Sequence, residues 1–153
     1  MQFAATADNL FAKGKAAYDQ EDYKTARPLL TQACDSGIAD GCNYLGDLWY
    51  SGEGGPKDQV RARTLYERAC NAGLADGCNN LGLTWDEGTG GPKDQVRART
   101  LYERACNGGS AAGCSNLGVS WEDGTGGGKD EANARKYYAK ACTLGYKKSC
   151  SLK

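Results

Sequence analysis

"GGPKDQVRARTLYERACN" stands at residues 54–71 and again, unchanged, at 90–107, a step of 36 residues. The same step continues outside the quoted stretch. Cysteines fall at 34, 70, 106 and 142, and a second set at 42, 78, 114 and 150. Trp49, Trp85 and Trp121 keep the step, as do Leu45-Gly46, Leu81-Gly82 and Leu117-Gly118. Self-similarity at a fixed period marks an array of one small unit that cannot bury its apolar face alone. The chain holds about four such units.

Each unit reads as two helices. Ala62, Leu65, Tyr66 and Ala69 recur at i, i+3, i+4 and i+7, matched by Ala98, Leu101, Tyr102 and Ala105. Ala134, Tyr137, Tyr138 and Ala141 repeat the pattern, and so do Ala26, Leu29, Leu30 and Ala33. This is one apolar stripe on a second helix. Asp58, Asp94 and Asp130 stand just ahead of it, where a side-chain oxygen caps free amides. The first helix carries Cys42, Leu45, Gly46 and Trp49, and the two later units match it. A helical glycine costs up to about 1 kcal/mol against alanine, so its recurrence predicts a close helix contact there. Pro28 falls within the first unit's second helix and predicts a kink or a late start. The turns "GEGGPKD", "GTGGPKD" and "GTGGGKD" join first helix to second. No segment alternates like a strand. Stacked helix pairs share a continuous core, so the expected fold is an all-α solenoid.

The cysteines form C-x7-C motifs: Cys34–Cys42, Cys70–Cys78, Cys106–Cys114 and Cys142–Cys150. The first member ends one helix and the second opens the next, across a short turn. Successive motifs in a solenoid lie about 10 Å apart, beyond disulfide reach. Pairing is therefore expected within each motif, and an oxidising compartment with it, periplasmic or secreted. Closing each nine-residue loop is worth about 2.6 kcal/mol in the chain-entropy picture. Zinc sites favour C-x2-4-C spacing, often with histidine, and this chain has no histidine. No metal or cofactor is expected.

Composition narrows the function classes. The 153 residues carry 19 basic and 19 acidic side chains, without the basic excess of a nucleic-acid binder. No stretch reaches the roughly 18 apolar residues of a membrane span. The opening "MQFAATADNLFAKG" shows no basic then apolar leader pattern, so no signal peptide is expected within it. Without histidine there is no Ser-His or Cys-His couple. "GTGGGKD" at 124–130 lacks the first glycine and the Ser or Thr of a phosphate loop. Two adjacent carboxylates, Asp86-Glu87 or Glu122-Asp123, fall short of the oxygen ligands calcium needs. No catalytic residue is assigned.

Leu-Gly-x-x-aromatic, Gly-x-Gly, Lys-Asp and Ala-x-x-x-Tyr-x-x-Ala-Cys, at a 36-residue step, resemble the Sel-1-like repeat of the tetratricopeptide superfamily. With C-x7-C in every unit, the chain is similar to the Helicobacter cysteine-rich proteins, and "ACTLGYKKSCSLK" fits that group. Tryptophan replaces the usual tyrosine at 49, 85 and 121, and the first unit, "FAKGKAAYDQEDYKTA", is closer to a tetratricopeptide repeat. The near-identity of units two and three suggests recent duplication or consensus design. The resemblance covers 7–153, with units at about 7–42, 43–78, 79–114 and 115–150, a cap at 151–153 and a tail at 1–6. It implies a right-handed superhelix, a disulfide per unit, and a scaffold that binds protein or peptide. Some members are described as penicillin-binding proteins or weak β-lactamases. None of the serines, Ser36, Ser51, Ser110, Ser115, Ser120, Ser149 or Ser151, has the Lys at i+3 that a serine β-lactamase uses.

By the same resemblance the first helices line the concave face. Its candidate ligand-binding residues are Lys15 and Tyr18; Asn43, Asp47 and Tyr50; Asn79, Asn80 and Asp86; and Ser115, Asn116 and Glu122. Charge divides by helix. Across 39–53, 75–87 and 111–123 the first helices carry eight acids and no Lys or Arg. Across 57–71, 93–107 and 129–143 the second helices carry twelve basic and six acidic residues. Pairing between helices would account for this; so would a basic extended ligand. The acids at 86–87 and 122–123 stand near helix C-termini, where the dipole disfavours them.

Overall fold

A computed structural model describes residues 6–153. The expected tail at 1–6 lies outside these residues apart from Thr6, whose hydroxyl caps the first helix at Asn9 N. Eight α-helices, each of 13 residues, make up the described chain, which contains no strand. The first helices of the pairs are α1 (Ala7–Asp19), α3 (Ala39–Ser51), α5 (Ala75–Glu87) and α7 (Ala111–Asp123). The second helices are α2 (Tyr23–Asp35), α4 (Gln59–Asn71), α6 (Gln95–Asn107) and α8 (Glu131–Thr143). A 3-10 turn, Lys147–Ser151, comes after them. The fold is the expected α-solenoid.

The caps are those read from the sequence. Asp58, Asp94 and Asp130 accept from the amides of Arg61, Arg97 and Asn133, each at 3.0 Å. Pro28 does not mark a late start. Helix α2 begins at Tyr23, 36 residues before Gln59, in register with α4. Asp22 caps it through Thr25 N, so the turns ahead of the proline are formed independently of it.

In the pairs from α3–α4 onward the recurring glycine faces a tyrosine, whereas Gly14 of the first pair faces Leu30. A Cβ at Gly46, Gly82 or Gly118 would stand 2.7 Å from the ring of Tyr66, Tyr102 or Tyr138. Neighbouring pairs are joined by the disulfides Cys34–Cys42, Cys70–Cys78 and Cys106–Cys114, and Cys142–Cys150 ties α8 to the 3-10 turn, with Cα–Cα separations of 4.4–4.8 Å. No free cysteine remains among the described residues. The core runs through the stack as three successive clusters around Leu30, Leu45 and Leu48, then Tyr66 and Leu81, then Tyr102 and Leu117. Each second helix packs on the first helix after it, and successive first helices also touch: α1 on α3, α3 on α5, α5 on α7. Successive second helices make no comparable contact.

The glycine-rich turns close around arginine. Arg27, Arg63 and Arg99 each point from a second helix into the turn of the next unit. Arg63 donates to the carbonyls of Thr84 at 2.7 Å, Thr89 at 3.1 Å and Pro92 at 3.0 Å. Arg27 reaches Leu48, Glu53 and Pro56; Arg99 reaches Ser120, Thr125 and Gly128. Any side chain at Gly55, Gly91 or Gly127 would meet these guanidiniums within 2.7 Å. The turns are thus built by what they enclose.

Each arginine also lies on an indole. Arg27 and Arg61 lie 4.2 Å from the Trp49 ring centre; Arg63 and Arg97 lie 4.1 and 4.3 Å from that of Trp85. Trp121 carries Arg99 at 4.3 Å. A desolvated cation over an indole contributes about 2 kcal/mol. Arg27, Arg61, Arg63, Arg97 and Arg99 therefore serve indoles, and three of them carbonyls as well. Only two ion pairs occur among the described residues, Lys15–Asp19 at 2.7 Å and Arg68–Asp35 at 3.7 Å. Neither joins a first helix to a second helix of the 39–143 array, so helix-to-helix pairing does not explain the opposite signs.

Candidate functional site

In the pairs from α3–α4 onward, the second-helix tyrosine passes under the glycine and meets a first-helix carboxylate. Tyr66 donates to Asp47 at 2.6 Å and Tyr102 to Asp86 at 3.1 Å, while Tyr138 donates to Glu122. Burial first, then the adjacent carboxylate, pushes all three phenols well above the ordinary tyrosine value. They are fixed as neutral donors. Burial also raises the Asp47 carboxyl above its ordinary value; the Tyr66 bond opposes this and the charge of Glu53 adds to it.

Three cavities accompany these tyrosines along the stack. The first, about 220 Å³, is lined by Asp47, Tyr50, Tyr66, Asn80, Leu83, Thr84 and Glu87. The second, about 230 Å³, includes Asp86, Tyr102, Asn116, Val119 and Asp123. The third, about 190 Å³, includes Glu122, Glu131, Arg135 and Tyr138. The adjacent acids part company: Asp86 faces the second cavity and Glu87 the first; Glu122 faces the third and Asp123 the second. Successive helical residues diverge by about 100°, and that rotation brings Glu87 to the cavity of Asp47 and Asp123 to that of Asp86, while the third cavity joins Glu122 to Glu131 of α8. In the first two cavities the partners of Glu87 and Asp86 are neutral. Tyr50 donates to Glu87 at 3.1 Å and Gln95 to Asp86 at 3.0 Å.

The asparagines form rungs between units. Asn80 donates to Asn43 at 2.9 Å and Asn116 to Asn79 at 2.8 Å. Ser149 and Ser115 continue the series at 3.2 Å. Asn79 is only 6% exposed, so it holds Asn116 in place and presents no free edge of its own. Lys15 lies in the first unit, paired with Asp19 and 5.9 Å from the Tyr44 ring centre. Tyr18 packs edge-on against Tyr23 and Tyr44, and burial pushes its phenol up to about 12.

The structure thus gathers Asp47, Tyr50 and Asn80 at one cavity, and Asp86 and Asn116 at the next. Glu122 lies at the third cavity. Lys15 and Tyr18 line none of the three. Sequence reasoning misses Glu87, Asp123 and the three tyrosines as cavity residues. The 36-residue step of Tyr66, Tyr102 and Tyr138 is the available signal, but the same spacing fits a plain core stripe. No group of three or more potential metal ligands forms among the described residues. No helix of the described residues is long and apolar enough to cross a membrane.

The Sel1 repeat family model matches residues 39–74, 75–110 and 111–146. Among solved structures, a Sel1 repeat protein of Oxalobacter formigenes is 27% identical with a TM-score of 0.84, over 91% of this chain and 57% of the other. A protective antigen of uropathogenic Escherichia coli strains, displaying an SLR fold, is also 27% identical with a TM-score of 0.85. That match covers 95% of this chain and 32% of the antigen. The chain thus spans well under two thirds of either. Helicobacter pylori cysteine rich protein B is 25% identical with a TM-score of 0.67, over 98% of both chains. No curated protein sequence matches.

Proposed function

The chain belongs to the Sel1 repeat family, and from that premise we propose that it is a non-catalytic scaffold binding an extended, basic segment of protein along its first helices. Sel1 repeats are, in general, protein-interaction scaffolds. The observation that carries the finer reading is the row of cavities at the repeat step. The first two each hold two carboxylates, and Asp47, Glu87 and Asp86 there are met by neutral hydroxyls or an amide, while the third holds Glu122 and Glu131 beside Arg135. Contacts between successive first helices, without equal contacts between second helices, support placing this row on the concave side.

Backbone contacts fall to Asn43, Asn80 and Asn116, whose amides both donate and accept. Asn79 supports them from behind. Asp47, Asp86 and Glu122 read Lys or Arg side chains, joined by Glu87 and Asp123. Tyr50 lines the first cavity and Ser115 sits at the last rung, while Lys15 and Tyr18 stand in the first unit, outside the three cavities. Exposed pairs contribute only about 0–1 kcal/mol each, so affinity is modest and salt-sensitive. The four disulfides fit an oxidising compartment, and the periplasm or the exterior is the proposed location.

The test is binding of a fluorescent Lys-Ser-Gly repeat peptide, long enough at about 3.3 Å per residue to cross two units. Its acidic counterpart, Glu-Ser-Gly, serves as the control. Saturable, salt-sensitive binding of the basic peptide alone supports the reading. Equal binding of both, or of neither, rejects it.

A further inference from the structure

Successive second helices stand apart, and two clefts open between them at the repeat step. One, about 260 Å³, lies between α2 and α4. It is lined by Leu45, Trp49 and Leu65, with Arg61, Thr64 and Arg68 on the α4 side. The other, about 370 Å³, lies between α4 and α6. It repeats the first with Leu81, Trp85 and Leu101, walled by Arg97 and Thr100. Neither shares a residue with the three cavities of the first helices.

Each cleft carries an arginine whose guanidinium has no acceptor. Arg61 lies 4.2 Å from the Trp49 ring centre and Arg97 4.3 Å from that of Trp85. Both are exposed. Their hydrogen bonds to the caps Asp58 and Asp94 come from the backbone amides, and neither side chain joins an ion pair. The carbonyls that Arg27, Arg63 and Arg99 hold account for those three; nothing of the kind accounts for Arg61 and Arg97. Nor does the fold require them. In the next unit Asn133 takes the place of Arg97, turns to its own cap Asp130, and leaves Trp121 with Arg99 alone.

The clefts are apolar as well as basic. Val60 and Val96 immediately precede the two arginines and are 65% and 66% exposed, the most exposed of the described large hydrophobic residues. The acids nearby do not cancel the arginines. Asp35 of the first cleft pairs with Arg68 at 3.7 Å, and Glu67 of the second forms no ion pair.

We propose that these two clefts bind an acidic, aliphatic segment of a partner protein. Its carboxylates accept from Arg61 and Arg97, because a guanidinium stacked on a ring keeps its in-plane donors for a carboxylate. Its aliphatic side chains enter the clefts and cover the valines, removing apolar surface from water. A basic segment meets like charge here, and an acidic segment without aliphatic side chains leaves the apolar surface uncovered. This site is separate from the cavity row and takes a ligand of opposite charge.

The probe is a fluorescent Leu-Asp-Ser repeat peptide titrated against the oxidised protein, with saturable binding expected. The uncharged Leu-Asn-Ser peptide and the leucine-free Glu-Ser-Gly peptide should each bind about tenfold more weakly or worse. Arg61→Gln with Arg97→Gln should weaken binding by about tenfold, the sum expected of two exposed charge pairs. These arginines also support Trp49 and Trp85, so a second variant leaves them in place. Thr64→Glu with Thr100→Glu, at exposed positions lining both clefts, sets a like charge against the ligand. It should keep the wild-type helical signal and lose binding to the same degree. Lys129→Gln with Lys140→Gln removes the same charge from exposed positions outside both clefts and should leave affinity unchanged. Undiminished binding to the glutamate variant overturns the proposal. So do an equal loss in the lysine variant, equal binding of either control peptide, and absence of binding at millimolar peptide.

Discussion

The phenol of Tyr66 donates a 2.6 Å hydrogen bond to the carboxylate of Asp47. A neutral donor therefore holds a half-buried acid that no cation balances. Burial raises the Asp47 carboxyl above its ordinary value, so the folded state holds the proton more tightly than the unfolded chain does. Stability then falls as pH rises through the folded-state value, and the ionised group costs stability at neutral pH. Asp47→Asn keeps an acceptor for Tyr66 and removes that cost. Its melting midpoint at pH 7 should equal or exceed that of the wild type, with the difference closing below the ordinary aspartate range. A variant less stable at both pH values would show that the charge itself is stabilising.

Gly82 stands beneath the Tyr102 ring, where a methyl group would lie 2.7 Å from Cε1. Gly82→Ala gains helix propensity but forces the ring aside. Overpacking of this kind costs about 1–3 kcal/mol, more than the roughly 1 kcal/mol at most that alanine returns. Chemical denaturation should show a net loss. A gain would mean that α5 and α6 separate readily.

The arginines should divide sharply by position. Arg63→Ala leaves the carbonyls of Thr84, Thr89 and Pro92 without their donor and uncovers one face of Trp85. The expected loss is about 3 kcal/mol or more. Arg135→Ala, at the equivalent exposed position, should leave the midpoint of the isolated chain unchanged. Equal effects at both positions would contradict the clamp.

Non-reducing peptide mapping should find four bonds, each local to its motif. Cys34, Cys42, Cys70, Cys78, Cys106 and Cys114 are buried, whereas Cys142 and Cys150 are partly exposed. Exchange rates depend on access, so limited reduction should open Cys142–Cys150 first. Full reduction should remove several kcal/mol of stability. An unchanged midpoint would show that packing alone holds the stack.

The repeat step makes the fold legible. It locates both helices of each pair, the Asp58, Asp94 and Asp130 caps, and the glycine contact. Pro28 misleads because the turns ahead of it keep the register of α4, a tertiary constraint that local propensity does not contain. The arginine clamp is also written in the sequence, as Ala-Arg at 26–27, 62–63, 98–99 and 134–135. It reads there as solvated charge because arginine is usually exposed. The cavity row is less legible. Asn79 and Asn80 are neighbours in sequence, yet one is buried and the other lines a cavity. Which of two adjacent polar residues turns inward depends on the rotation of α5 against α7, and composition does not fix that.

Whether the acids of the first helices read a basic segment is decided by one affinity. It is that of the Lys-Ser-Gly peptide for the double variant Asp86→Asn, Glu122→Gln, measured across a salt series. These amides keep acceptors for Tyr102 and Tyr138, so the fold is retained. Binding should weaken, and its salt dependence should flatten as charge pairs are lost. Replacing Arg61 and Arg97 with glutamine should lower stability through Trp49 and Trp85 while leaving peptide affinity unchanged. If the arginine change abolishes binding and the carboxylate change is silent, the second-helix face is the active one and the first helices are not the reader.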